Sequence, residues 1–147
     1  MVFNVQSLNK RIDQFIAMLD DHNLQIAFVT ETWLTSEANP ITATLKASGY
    51  EIRHNFRANR AGGGTAVIFQ QGYQVSKLPV TCDVTTFEFI CVLIKQEYTL
   101  TIMGTCIYRP GSQPLCPLFI AELDKFLDTI SSKYDSILLC GDLNVHF

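Results

Sequence analysis

Ser136-Ile137-Leu138-Leu139-Cys140-Gly141-Asp142-Leu143-Asn144 decides the class of this fold. Ile137 to Cys140 are apolar at every position, the pattern of a strand covered on both faces. The run gives way to Gly141 and then to a carboxylate and a carboxamide two residues apart. A buried strand thereby delivers Asp142 and Asn144 to its own carboxyl end. Upstream, beyond the break at Pro110-Gly111, Leu118, Leu123, Phe126, Leu127 and Ile130 recur at helical spacing. A helix feeding a doubly buried strand marks an α/β fold.

The same reading extends to the amino end. Residues 2–5 form a short strand, Asn9 offers a helix cap, and Ile12, Phe15, Ile16 and Leu19 make one apolar stripe. Residues 26–30 form the next strand, ending at Glu31. Such a strand–helix–strand unit has parallel strands and a right-handed crossover. A brief helix over 40–48 is closed by Gly49. Strands are expected over 50–56, 65–69, 72–78, 86–94 and 99–108, with a glycine-rich loop over 57–64 and a hairpin turn at Glu97-Tyr98. The sheet is mixed, with parallel units at both ends and antiparallel pairs between. Residues 89–94 are apolar on nearly every position, so this strand also requires two covers. Two substantial helices cover one face, and the chain is expected to leave the other bare.

The chain has 147 residues, 48% apolar, enough for one domain with its own core. The net charge of -3 speaks against nonspecific nucleic-acid affinity. It leaves room for a phosphodiesterase, whose bound cation offsets local negative charge. The five cysteines are widely spaced with no CxxC pair, so zinc and thioredoxin-like chemistry are poor readings. No signal peptide and no membrane-spanning apolar stretch is evident, and the expectation is a soluble, reduced, intracellular protein with no membrane partner.

The polar residues fall at strand ends: Asn4, Glu31, Tyr108, Arg109, Asp142 and Asn144. Open α/β sheets bind ligands beyond the carboxyl ends of their strands, so Asn4, Glu31 and Asp142 on neighbouring parallel strands would share one rim. Two carboxylates and two carboxamides suit a hard, oxygen-seeking cation, Mg²⁺ first and Mn²⁺ next. Such an ion neutralises a phosphodiester while a second carboxylate orients or deprotonates water. Each residue also has a plain reading. Glu31 is then an ordinary loop-start acid, Asp142 and Asn144 an Asx turn, and Tyr108 to Gly111 a strand-end turn. Trp33 reads as packing, His22 and His54 as surface residues, and His146 as a bystander.

Taken in order, six segments change the balance: Asn4-Val5-Gln6-Ser7-Leu8, Thr30-Glu31-Thr32-Trp33-Leu34, Gly62-Gly63-Gly64-Thr65-Ala66-Val67, Phe87-Glu88, Tyr108-Arg109-Pro110 and Gly141-Asp142-Leu143-Asn144-Val145-His146. They resemble the endonuclease/exonuclease/phosphatase superfamily, and more narrowly the apurinic-type endonuclease domain of non-LTR retrotransposons. The resemblance implies the amino-terminal part of a four-layer, DNase I-like α/β sandwich with helices on the outer face. It implies a Mg²⁺-dependent DNA endonuclease in which Glu31 is the principal metal ligand and Asn4 helps set the metal and phosphate site. Tyr108 would bond the scissile phosphate or the water, Asp142 would activate that water, and Asn144 would support the cluster. Arg57, Arg60 and Arg109 would be substrate-binding.

The family's domain continues for about another hundred residues, with a further Asp and a Ser-Asp-His motif that have no match here. Residues 1–147 therefore read as an incomplete domain, weak or inactive alone, with its bare sheet face open to the missing half or to self-association. Two alternatives stay open: a catalytically dead remnant acting as an interaction module, and a phospholipid or inositol-phosphate phosphodiesterase. Nuclear residence follows only from DNA as substrate.

Overall fold

Alternation at period 2 sorts the apolar residues of this chain into three cores, and those cores define its layers. The computed structural model describes residues 1–37, 39–56, 62–95, 101–112 and 115–145. The elements are β1 (Val2–Asn4), α1 (Leu8–Asp21), β2 (Ile26–Thr30), α2 (Pro40–Ala47), β3 (Tyr50–Asn55), β4 (Thr65–Gln70), β5 (Gln74–Lys77), β6 (Glu88–Lys95), β7 (Thr101–Tyr108), α3 (Pro117–Ser131) and β8 (Ile137–Asp142). They form two four-stranded sheets, ordered β1-β2-β4-β3 and β5-β6-β7-β8. The β1/β2 and β7/β8 pairs are parallel, and the others are antiparallel.

Phe28, Val67 and Phe69 of the first sheet meet Ile90, Val92, Ile94 and Cys106 of the second. Residues one step along each strand face outward. Ala27, Val29, Ala66 and Ile68 pack under α1 and α2, while Cys91, Met103 and Ile107 pack under α3. The result is helix, sheet, sheet, helix. Gly104 sets the closeness of the two sheets, because a Cβ there would sit 2.9 Å from Cζ of Phe28.

This overturns one expectation. The chain was expected to leave a sheet face bare, for want of a second sheet; it builds both sheets, and they cover each other. What is open is an edge. β8 ends the second sheet among the described residues, and Leu138 and Leu139, on opposite faces, are 45% and 47% exposed. The doubly apolar run is therefore only partly buried.

Smaller differences have local causes. Helix α1 begins at Leu8 after Ser7, which has φ 88° and makes no side-chain cap bond, so Asn9 lies within the helix rather than capping it. His54 is buried, not on the surface. It shares the inward face of β3 with Tyr50 and Ile52, and burial lowers its imidazole pKa below the ordinary value. The Glu97-Tyr98 turn and His146 lie outside the described residues. Among the described residues no helix is long and apolar enough to cross a membrane.

Candidate active site

The segment after β2 is held from both sides. Val5 N donates to Thr30 O (3.1 Å), Ser7 N to Glu31 O (2.9 Å) and Leu8 N to Thr32 O (3.0 Å). From the opposite flank, Trp33 N donates to Gly63 O (2.9 Å) and Thr32 N to Gly64 O (3.3 Å). These bonds hold Glu31 and Trp33 in the left-handed region, at φ 58° and 56°, a conformation costing non-glycine residues about 1–3 kcal/mol. The strained backbone aims the Glu31 carboxylate across the rim. Its Oε2 accepts from Trp33 Nε1 (2.6 Å) and Gly63 N (3.0 Å), and its Oε1 accepts from the Tyr108 hydroxyl.

The second sheet contributes a row. Glu88, Tyr108 and Asp142 are direct partners across β6, β7 and β8, so their side chains share a face. Glu88 Oε2 accepts from Gly64 N (2.6 Å). Successive amides of the glycine segment thus bind one carboxylate from each sheet. Asp142 Oδ2 accepts from Asn4 Nδ2 (3.0 Å), a bond joining the ends of β1 and β8. Its Oδ1 accepts from Asn144 N (3.1 Å), which is the Asx turn of the plain reading. Turn geometry and rim placement coexist in the same residue.

Asn4, Glu31, Tyr108, Asp142 and Asn144 are therefore brought to one rim. Arg57 and Arg60 lie outside the described residues. Arg109 differs from the substrate contact expected of it. It is 2% exposed, its Nη1 donates to Leu143 O (3.2 Å) and Asn144 O (3.0 Å), and its guanidinium lies 5.2 Å from the Phe119 ring centroid. Asn144 Nδ2 returns a bond to Arg109 O (2.7 Å), and Arg109 N donates to Asp142 O (2.9 Å). Arg109 and Asn144 hold the turn that presents Asp142. Trp33 is 37% exposed, and its indole orients Glu31 instead of filling a core. Glu88 entered the sequence reading only within the Phe87-Glu88 segment and was given no site role; its further signal was a carboxylate opening a mostly apolar strand, opposite Tyr108.

Among the described residues no group of three or more His, Cys, Asp or Glu is placed to hold a metal ion. The donors at the rim are oxygens: the Glu31 and Asp142 carboxylates with the Asn4 carboxamide. That chemistry fits Mg²⁺, which takes one or two protein carboxylates and completes its shell with water and substrate phosphate.

The model of the Endonuclease/Exonuclease/phosphatase family matches residues 1–147. No curated protein matches the sequence. Among solved structures, the chain is similar to NExo, a 3'-5' exonuclease from Neisseria meningitidis, with 22% identity and a TM-score of 0.71 over 98% of this chain and 57% of that one. It is similar to ANGEL2, a 2',3'-cyclic phosphatase, with 17% identity and a TM-score of 0.72 over 97% of this chain and 51% of that one. It is also similar to the endonuclease domain of TRAS1, a telomere-specific non-LTR retrotransposon, with 13% identity and a TM-score of 0.64 over 99% of this chain and 59% of that one. The chain spans little more than half the length of these proteins. At such identities the likeness is one of fold, and it extends to nucleases and phosphatases alike. The family is thus established more broadly than the retrotransposon-type endonuclease that the motifs resemble.

Proposed function

Because the chain belongs to the endonuclease/exonuclease/phosphatase family, we propose that its rim is part of a metal-dependent phosphodiesterase site acting on DNA, as an endonuclease. One observation carries the reading: two polar contacts cross between the sheets at the same rim, Tyr108 to Glu31 and Asn4 to Asp142. On this reading Glu31 and Asn4 hold Mg²⁺, or Mn²⁺ in its place. The ion, when bound, supplies charge neutralisation at the phosphate. Asp142 orients the attacking water and accepts its proton, and Tyr108 donates a hydrogen bond to the phosphate or the water. Arg109 and Asn144 hold Asp142 in place, and Arg57 and Arg60 contact the DNA backbone.

Residues 1–147 then form the amino-terminal part of a longer domain, and turnover by this chain alone is weak. The retrotransposon assignment rests on the spelling of the motifs, and nuclear residence follows from the DNA substrate.

Two measurements on the chain test the proposal. Mn²⁺ binding followed by electron paramagnetic resonance is expected to weaken at least about tenfold in Glu31→Gln, since the carboxylate is the main ligand. Nicking of supercoiled plasmid is expected to require divalent metal and to fall about 10²–10⁴-fold in Asp142→Asn. Mn²⁺ affinity unchanged by Glu31→Gln, or nicking that persists in EDTA, would refute the site. Cleavage of a phosphoinositide headgroup with no action on plasmid would move the substrate class from DNA to lipid.

A further inference from the structure

The second sheet carries a pair of thiols one rung beneath the rim. Cys106 on β7 and Cys140 on β8 are direct partners in the parallel ladder, and Tyr108 and Asp142 are the next partners on the same face. Both thiols lie on the inter-sheet side. Cys106 is fully buried in that core, and Cys140 packs against it while keeping partial exposure on the edge strand. The other three cysteines, Cys82, Cys91 and Cys116, belong to the separate core under α3.

The geometry suits a covalent bridge. Adjacent strands run about 4.8 Å apart, inside the Cα separation of about 4.4–6.8 Å that disulfides span. Cys140 Sγ donates to Thr105 O on the neighbouring strand (3.3 Å), so its side chain turns toward β7 beside Cys106. Beside them Gly141, at φ 143°, directs the position of a Cβ at β7, where it would fall 2.7 Å from the carbonyl carbon of Ile107. Only glycine fits at this position next to the pair.

We infer that Cys106 and Cys140 form a reversible disulfide when the protein meets a peroxide, making the β7/β8 rung beneath Tyr108 and Asp142 a redox modification site. Cys140, the accessible thiol, reacts first. Its sulfur attacks one peroxide oxygen, the O–O bond breaks, and water leaves, giving a sulfenic acid. The Cys106 sulfur then attacks the Cys140 sulfur. The S–O bond breaks, and the hydroxyl departs as water with the Cys106 proton. Two thiols lose two electrons and two protons to the peroxide, which becomes two waters. A dithiol reductant reverses the bridge by thiol–disulfide exchange. Such bridges in reducing compartments are transient and redox-sensing.

The test uses the full chain and does not depend on the proposed hydrolytic activity. Reduced protein is exposed to hydrogen peroxide, quenched with N-ethylmaleimide, and digested for mass spectrometry without reduction. The expected result is that two of the five cysteines escape alkylation and appear as one Cys106–Cys140 linked peptide pair, lost on dithiothreitol treatment. Cys140→Ser, a near-isosteric change at a partly exposed site, is expected to leave every remaining thiol open to alkylation. Several results would overturn the inference: all five thiols staying reduced, Cys140 ending as sulfinic or sulfonic acid with Cys106 still free, or a bridge between molecules or between other cysteines.

Discussion

Arg109→Met removes the buried cation behind the Asp142 turn while keeping much of its apolar stem. Among the described residues the bonds lost include those from Nη1 to Leu143 O at 3.2 Å and to Asn144 O at 3.0 Å, together with the contact on the Phe119 ring. Hydrogen bonds to a charged group contribute about 1.5–3 kcal/mol each, and a desolvated cation–π contact about 2 kcal/mol. Against that gross sum stands the release of the guanidinium from its own desolvation, several kcal/mol. The net loss is about 3 kcal/mol. With a urea m-value of about 2 kcal/mol/M, the unfolding midpoint falls by about 1.5 M. Arg109→Lys keeps the charge but loses the planar stack, and it recovers only part of the loss. A midpoint shift corresponding to less than about 0.5 kcal/mol for Arg109→Met, or full recovery by Lys, would show that the guanidinium does not hold the turn. A stable variant that had merely lost nucleic-acid affinity would return Arg109 to the substrate-binding role.

Gly104→Ala is expected to cost about 1–3 kcal/mol in chemical denaturation, since its Cβ would lie 2.9 Å from Phe28 Cζ, and trimming the ring in Phe28→Leu should make the two changes less than additive. Burial alone would raise the Glu122 pKa, but hydrogen bonds from the amides and hydroxyls of Thr85 and Thr86 outweigh it and hold the group at about 2. A folded-state pKa below the ordinary 4.5 gives stability that is fully present above that value and fades as pH falls toward 2. Urea titrations across that window should show a slope that Glu122→Gln lacks, and parallel curves for the two proteins would remove Glu122 as the cause. Changing Leu138 and Leu139 together to Lys is expected to raise the concentration at which the chain self-associates, read by light scattering, with under about 1 kcal/mol lost in folding. Unchanged association would show that the β8 edge is not the sticky surface.

The elements were legible where periodicity is strong. The stripes of α1 and α3 and the apolar run of β6 follow directly from spacing. The shared rim was legible only in part: Asn4, Glu31 and Asp142 were expected on neighbouring parallel strands, and they meet instead across two sheets, with Asp142 supplied by β8 of the second. The division of strands between sheets was not legible. A doubly apolar strand states that it needs two covers, and it does not state whether the second comes from another chain segment or from a sheet of its own. Here β4 pairs with β2 by a non-local contact, and that choice splits eight strands into two sheets. Arg109 misled for a related reason: its acceptors come 34 and 35 residues later, so nothing nearby shows that the guanidinium turns inward. The unusual φ of Glu31 carried no glycine to signal it. His54, by contrast, was readable from the alternation of Tyr50, Ile52 and His54 on one face of β3.

The candidate site has a structural consequence that follows from its assembly across two sheets. Asn4 and Glu31 come from the first sheet, and Tyr108 and Asp142 from the second. Their spacing is therefore set by the layer beneath them, where Phe28 lies over Gly104 and Cys106 sits below Tyr108. Packed interiors are dense and respond to added volume by moving neighbours rather than by compressing. A methyl group between the sheets separates the two halves of the rim, whereas a cavity under α1 or α3 leaves them in register. Two substitutions of equal cost to folding are thus unequal for the site, and the inter-sheet one bears directly on the Glu31–Tyr108 and Asn4–Asp142 contacts.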